Sequence, residues 1–153
     1  MRVVKGPLTV RQVPPPPFTT NSRRPTGVLG KGILYEDSFA KYATAARLGT
    51  VAQGLWFHYI DSRKSAYCQV DVVLAVPGKL VLFECKLTQC EDGDTQLRRY
   101  RPIVEKWCGH RVVLVQVYKN ATYYPEGQLL THLQDALFLK PGAVAHGFQW
   151  RPE

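Results

Sequence analysis

Asp71, Glu84 and Lys86 are of the residue types that can hold a divalent cation and work on a phosphate. Two carboxylates and water suit a hard cation such as Mg²⁺ or Mn²⁺. Their surroundings matter more than their identity. Asp71 lies inside the apolar run Tyr67–Val76, and Glu84 inside the apolar run Leu80–Leu87. An ionised carboxylate in such a setting is costly unless it is paired or bound to a metal.

The elements that must position these groups follow from local pattern. Both runs are rich in β-branched and aromatic residues and read as strands, and Pro77-Gly78 between them is a turn signal. A hairpin closed there brings Asp71 close to Glu84. Alternation along the second strand points Glu84 and Lys86 one way and sends Phe83 and Cys85 the other way, into packing. Upstream, Gly32–Leu48 reads as a helix, with Gly49 just past its end. Helical spacing puts Glu36 on the same side as Ile33, Phe39, Ala40 and Ala43, with Asp37 and Lys41 off that side. Glu36 therefore either reaches solvent from the helix boundary or serves the acids. Downstream, a second helix is expected from Asp94 as its N-cap. Gln96 and Tyr100 share a face of it, and Pro102 is expected to kink or end it.

Asp71 followed by Glu84-x-Lys86 resembles the active-site signature of the PD-(D/E)XK nuclease superfamily, with Val70 where the family's name has proline. The resemblance spans Glu36 to about Tyr118. The pair Gln96-x3-Tyr100 resembles the motif of the RecB-like branch, which follows the ExK strand at about this distance. The resemblance implies a metal-dependent DNA nuclease. Asp71, Glu84 and the backbone carbonyl of Cys85 would hold one or two Mg²⁺ or Mn²⁺ ions, with Glu36 completing the shell directly or through water. Lys86 would orient or help deprotonate the attacking water, or stabilise the transition state. Gln96 and Tyr100 would position the metal site and the DNA, completing the catalytic set. Candidate phosphate contacts are Arg47, Arg98 and Arg99, with Arg98 and Arg99 favoured by their place beside the motif. Arg101 and Lys106 are either part of that track or solvated helix charges.

The expected order of elements is α-β-β-β-α-β-α. Leu55–Ile60 forms the first strand, the hairpin the next two, and Arg111–Tyr118 a strand covered on both faces. Gly127–Leu139 carries leucines at helical spacing and reads as a core-packing helix. Gly147–Arg151 is expected to add a short edge strand or dock an aromatic. This order matches the restriction-endonuclease-like core of the superfamily, an α/β fold with a mixed sheet flanked by helices. Residues 1–28 read as a basic, Pro-rich arm ahead of a single nuclease domain at 29–153. Within the arm, Arg23-Arg24 stands as a phosphate contact, part of an unstructured tail, or a contact to a neighbouring subunit.

A chain of 153 residues suffices for one domain with a real core. Its formal charge of +8 favours a polyanionic partner, here DNA. No apolar run is long enough to span a membrane. The start, Arg2-Val3-Val4-Lys5, lacks the pattern of a secretory signal. A soluble cytoplasmic protein is the default expectation, either a viral or mobile-element enzyme or a subunit of a larger repair or replication complex, with homo-oligomers open. Cys68, Cys85, Cys90 and Cys108 contain no CxxC pair and read as small buried hydrophobes, not as a cluster site or disulfides. The four histidines have no ligand spacing. No P-loop is present, so no ATP-driven motor is encoded. Three functions remain: a RecB-like nuclease; a Holliday-junction resolvase, which the Gly32-x3-Glu36 helix start also fits; and a non-catalytic DNA-binding subunit. A restriction enzyme would have little room for a recognition domain.

Overall fold

Pro77 and Gly78 make the two-residue turn expected of them, with Gly78 at φ 76° and Val76 paired to Lys79. The structure, a computed structural model, describes residues 8–16, 27–62, 64–88, 91–120 and 128–152. Its elements are β1 (Leu8–Val13), α1 (Gly27–Ala45), β2 (Thr50–Asp61), β3 (Lys64–Val76), β4 (Lys79–Thr88), α2 (Glu91–Cys108), β5 (Val113–Asn120), β6 (Gln128–Leu130), a 3-10 helix (Leu133–Phe138) and β7 (Val144–Gln149). The fold is α/β. Seven strands form one mixed sheet in the order β1-β2-β3-β4-β5-β7-β6. β1 to β4 are antiparallel neighbours, whereas β4, β5, β7 and β6 run parallel.

A helix covers each face. On one side Phe39, Ala40 and Ala43 of α1 pack on Val72, Leu74, Val81, Phe83, Val113 and Val115. On the other, Leu97, Ile103 and Val104 of α2 pack on Phe57, Val70, Val73, Leu82 and Leu114. β4 and β5 are central and buried on both faces, which explains why both read as near-continuous apolar runs. Each fully buried Leu, Val or Phe there contributes roughly 1.5–3 kcal/mol. Among the described residues no helix is long and apolar enough to cross a membrane.

The structure departs from the sequence expectation in several places, and α1 also starts five residues earlier and ends three earlier than Gly32–Leu48. Leu8–Val13, inside the expected arm, is an edge strand paired along its length with Trp56–Asp61. α2 starts at Glu91, so Asp94 falls inside its first turn and is not the N-cap. α2 also runs through Pro102 to Cys108; Pro102 is exposed, so water can take the carbonyl that its missing N–H leaves unpaired. The expected helix at 127–139 is instead β6 followed by the 3-10 helix. The chain is extended at His132 (φ −129°, ψ 149°), and the His132 N–H donates to the Asp135 carboxylate at 3.0 Å. Pairing with β7 recruits residues 128–130 to the sheet, which overrides a leucine spacing that also suits a helix.

The C-terminal stretch forms a strand and docks an aromatic, but the strand is not at the sheet edge expected of it. β7 is a strand, but an interior one, between β5 and β6. Trp150 then docks on α1: its backbone carbonyl accepts from Tyr35 Oη at 2.9 Å, and its ring stacks on Tyr42 at 5.2 Å.

Candidate active site

The β3–β4 ladder runs from Val76↔Lys79 to Val72↔Phe83 and stops there. The next residues along would be Asp71 and Glu84. In place of a ladder bond, the Cys85 N–H donates to Asp71 Oδ2 at 3.0 Å. The other edge of β4 stays paired to β5, through Glu84↔Gln116, Cys85↔Val117 and Lys86↔Tyr118. β4 is thus fixed from one side and opened on the other at the candidate residues. The N–H and C=O of a strand residue face the same side, so the Cys85 carbonyl faces the opening that Asp71 occupies.

The parting has a cause one strand further out. β2 and β3 pair at Gln53↔Val72 and at Leu55↔Val70, skipping Gly54 and Asp71. On one side of this point Leu55, Phe57, Cys68 and Val70 belong to the α2 core. On the other, Val51, Val72 and Leu74 belong to the α1 core. Both strands therefore exchange faces at Gly54–Asp71, which regular alternation cannot do. Gly54 absorbs the irregularity at φ 66°, where a side chain is strained. Gly54→Val is expected to cost about 1–3 kcal/mol and to lower Tm by several degrees; an unchanged thermal unfolding curve would contradict this account of the bend.

Burial dominates the electrostatics. Glu84 is 4% exposed, and its Oε1 lies 3.3 Å from Lys86 Nζ. Burial first, and the charge of Asp71 second, push the Glu84 carboxyl up to about 8, with Lys86 pulling it back. Burial also raises Asp71, against the Cys85 N–H bond and the charge of Lys86. Glu36 on α1 is pushed up to about 8, again by burial and then by Asp71, while a hydrogen bond from Gln53 and the charge of Lys86 work the other way. The Asp71 and Glu84 carboxyls are close enough to share a hydrogen bond, yet Glu84 Oε2 is buried with no well-aligned partner. Two carboxylates in that relation need a proton or a cation between them.

This donor set fits a hard divalent cation: Asp71, the unpartnered Glu84 oxygen and the Cys85 carbonyl. Among the described residues no three His, Cys, Asp or Glu side chains are already gathered around one point. The remaining positions would fall to water, which Mg²⁺ usually keeps, with Glu36 acting through it.

α2 approaches from the opposite face to α1. Burial, followed by the charge of Glu84, raises the Tyr100 hydroxyl, with smaller contributions from Cys68 and Asp71, so it lies within electrostatic reach of the acids. One turn earlier, Gln96 Oε1 is buried and unpartnered. Asp71 and Glu84, with Lys86 on Glu84, form the centre; Glu36 and Tyr100 lie within electrostatic reach of it, and Gln96 is one turn from Tyr100. Cys85 points into the α1 core, and burial raises its thiol well above the usual range. Cys68, Cys85 and Cys108 are free thiols.

The basic candidates divide. Arg98 and Arg99 are exposed on α2, and Arg99 lies near enough to Tyr100 for its charge to act there. Arg101 is structural, not part of a phosphate track: its guanidinium donates to the Gly142 carbonyl at 2.6 Å and lies 3.8 Å from Glu105. Lys106 is exposed in the last turn of α2. Arg47 follows the C-terminal end of α1 at φ 54°, roughly 15 Å beyond Glu36 at about 1.5 Å per residue, and is not gathered with the acids. Arg23, Arg24 and Cys90 lie outside the described residues.

Two glutamines join the site that no sequence motif brought forward. Gln53 hydrogen-bonds Glu36 and donates to Asp37 Oδ1 at 2.5 Å; no local pattern marks it. Gln116 is wholly buried directly opposite Glu84. It does carry a signal, as the one amide within Val112–Val117.

No protein-family model matches the chain, and no curated protein matches it. Among solved structures, the chain is similar to the protein VC1899 from Vibrio cholerae, with 20% identity and a TM-score of 0.40. The match covers 74% of this chain and 28% of the length of that one.

Proposed function

We propose that this chain is a metal-dependent DNA nuclease of the PD-(D/E)XK type, RecB-like branch, hydrolysing phosphodiester bonds in recombination, repair or replication. One observation carries the reading. Asp71 and Glu84 approach each other, with Lys86 on Glu84, at the point where β3 leaves β4. Burying two acids against each other destabilises a fold unless something is gained by it, and a cation site facing a phosphate is the gain that a basic chain would use. Tyr100, on whose hydroxyl the charge of Glu84 acts, supports the RecB-like branch, whose motif Gln96-x3-Tyr100 resembles.

In this reading Asp71 is held by the Cys85 N–H, and Glu84 by Lys86, so both carboxylates keep fixed orientations. A bound Mg²⁺ or Mn²⁺ would supply charge for the scissile phosphate and acidify a water. Lys86, 26% exposed at its side chain, reaches from the acids toward solvent, where it can orient the attacking water or offset charge on the phosphate. Glu36 is tied to Gln53, and burial followed by the charge of Asp71 pushes its carboxyl up to about 8, so it holds its proton below that pH unless a cation replaces it. Tyr100 and Gln96 line the α2 side and position the strand.

The test is cleavage of labelled linear duplex, single strand, flap and four-way junction with Mg²⁺, Mn²⁺ or EDTA. Metal-dependent cutting is expected, with affinity falling steeply as salt rises. Selective junction cutting by a stable dimer would make the chain a resolvase. Tight binding with no cutting under any metal would make it a non-catalytic subunit, and salt-independent affinity would contradict phosphate binding.

A further inference from the structure

β1 and the outer parts of β2 and β3 are covered on one side only. Leu55, Phe57 and Tyr59 of β2, Cys68 and Val70 of β3, and Val10 of β1 belong to the core beneath α2. Side chains alternate along a strand, so Trp56, His58 and Ile60, with Tyr67 and Arg11 on the neighbouring strands, take the other side. That is the side of α1, but no described residue between Leu55 and Val70 belongs to the core that α1 forms. Ile60 and Tyr67 are 40% and 46% exposed there, and Thr9, Arg11 and Ser65 are exposed as well.

Cross-strand register orders this face. Arg11 lies directly opposite His58, and His58 directly opposite Tyr67, with the His58 and Tyr67 rings 5.0 Å apart. In the next row Thr9 lies opposite Ile60, and Ile60 opposite Ser65. A hollow of about 200 Å³ opens among Thr9, Val10, Arg11, His58 and Ile60. The stretches Thr9–Val13, Trp56–Ile60 and Ser65–Gln69 contain no Asp or Glu. The face thus offers a guanidinium and several hydroxyls, which are donors that bind phosphate oxygens, and no carboxylate to repel them. It also leads toward the candidate acids. Tyr67 precedes Asp71 on β3 by four residues, about 13 Å at 3.3 Å per residue. On β2, Gln53, which hydrogen-bonds Glu36, is followed by Trp56 and His58 across the irregularity at Gly54.

We propose that this face docks the sugar-phosphate backbone of duplex DNA to one side of the cleaved bond. Arg11 is the charged contact, and the Thr9, Ser65 and Tyr67 hydroxyls are the neutral ones. A chain of charge +8 attracts the polyanion, and a stiff duplex held at the acids continues over the outer strands. The separation of about 13 Å corresponds to about four base pairs at 3.4 Å each. Contacts to phosphates set affinity and register without choosing a sequence. The proposal rests on the nuclease reading and adds where its DNA lies.

The experiment compares the full chain with Arg11→Ala, Arg11→Lys, Tyr67→Ala and, as a control for net charge, Lys140→Ala. Arg11 is exposed on the edge strand, so its loss opens no core cavity. Lys140 is exposed at the turn end of the β3–β4 hairpin, next to Leu139, whose carbonyl accepts from Lys79. The probe is a short fluorescein-labelled duplex. Binding is read by anisotropy in Ca²⁺ across a salt series, cleavage in Mg²⁺, and the sedimentation of the parent and Tyr67→Ala alongside. Arg11→Ala is expected to bind the duplex about five- to tenfold more weakly, with a salt slope shallower by about 0.9, the value for one phosphate charge no longer neutralised. Arg11→Lys should restore the slope. Tyr67→Ala should weaken binding at an unchanged slope, and Lys140→Ala should match the parent. Unchanged affinity and slope in Arg11→Ala, with the parent cutting in Mg²⁺, would overturn the docking face and leave the nuclease reading standing. Equal losses in Arg11→Ala and Lys140→Ala would do the same, by reducing the effect to net charge. A parent that sediments as a dimer split by Tyr67→Ala would give the face to a second copy and overturn the proposal. A parent that neither binds nor cuts any DNA would overturn both readings.

Discussion

Lys86→Ala is expected to lower Mg²⁺-dependent DNA cleavage by at least about a hundredfold, within the range removed with a single acid–base or electrostatic group, and to leave the protein folded. The Lys86 side chain is 26% exposed and lies 3.3 Å from Glu84 Oε1, so its loss opens no core cavity. What disappears is the positive charge that offsets Glu84, Asp71 and Glu36, since Lys86 opposes the upward shift of all three. Asp71→Ala should also abolish cleavage. It removes the acceptor of the Cys85 N–H as well, and an orphaned buried donor costs about 1–3 kcal/mol. Asp71→Asn separates the two effects, because it keeps an acceptor and loses the charge; it should fold better than Asp71→Ala and cut no better. Cleavage rates set beside thermal unfolding decide the matter. Full activity in folded Lys86→Ala or Asp71→Asn would sink the site assignment.

Glu84→Gln is expected to kill cleavage while making the metal-free protein more stable at alkaline pH. The sign follows from which state holds the proton more tightly. An ordinary glutamate titrates near 4.5, and in the fold Glu84 is pushed up to about 8. The folded chain therefore binds the proton more tightly than the unfolded one. The stability this confers is complete below about pH 4.5 and is lost as pH rises through about 8. A tenfold difference in proton affinity corresponds to about 1.4 kcal/mol, so in the parent the loss is on the order of a few kcal/mol, shared with Asp71 and Glu36. A glutamine has no charge to form and escapes this loss. Its metal-free Tm should exceed the parent's by several degrees at pH 9, at about 2–4 °C per kcal/mol for a chain of this size, and match it near pH 5. Mg²⁺ should reverse the ranking. A cation takes the place of the proton between Asp71 and Glu84, so the parent gains stability from metal, increasingly as pH rises, whereas the variant gains little. Equal metal-induced Tm shifts in parent and variant would remove Glu84 from the proposed ligand set. A metal-free variant no more stable than the parent at pH 9 would show that the buried acid carries no such penalty.

Both predictions concern residues legible without a structure, because the signals are local. Asp71 and Glu84 stand out as charges inside apolar runs, Pro77-Gly78 as a turn, and Cys85 as an inward residue by the two-residue period of a strand. The apolar face of α1 around Glu36 is equally local. Gln116 is legible only in part: a lone amide in an apolar strand is visible in the sequence, but its place opposite Glu84 depends on another element.

What the sequence by itself determined is the set of chemical groups and, wherever a strand or helix keeps its regular period, the faces they take, since side-chain period and turn chemistry act over a few residues. Tertiary structure decided what lies between elements. Leu8–Val13 is a strand because β2 offers its edge across more than forty residues of chain. Residues 128–130 leave a helix-compatible spacing because β7 pairs with them. β3 parts from β4 at Asp71 because Gly54, on a third strand, lets both β2 and β3 exchange faces. Arg11 and Tyr67 come to flank His58, and Gln53 meets Glu36, only through that packing. These arrangements depend on which edges and faces find one another when buried area is maximised, a contest settled across the whole chain that no local window of sequence records.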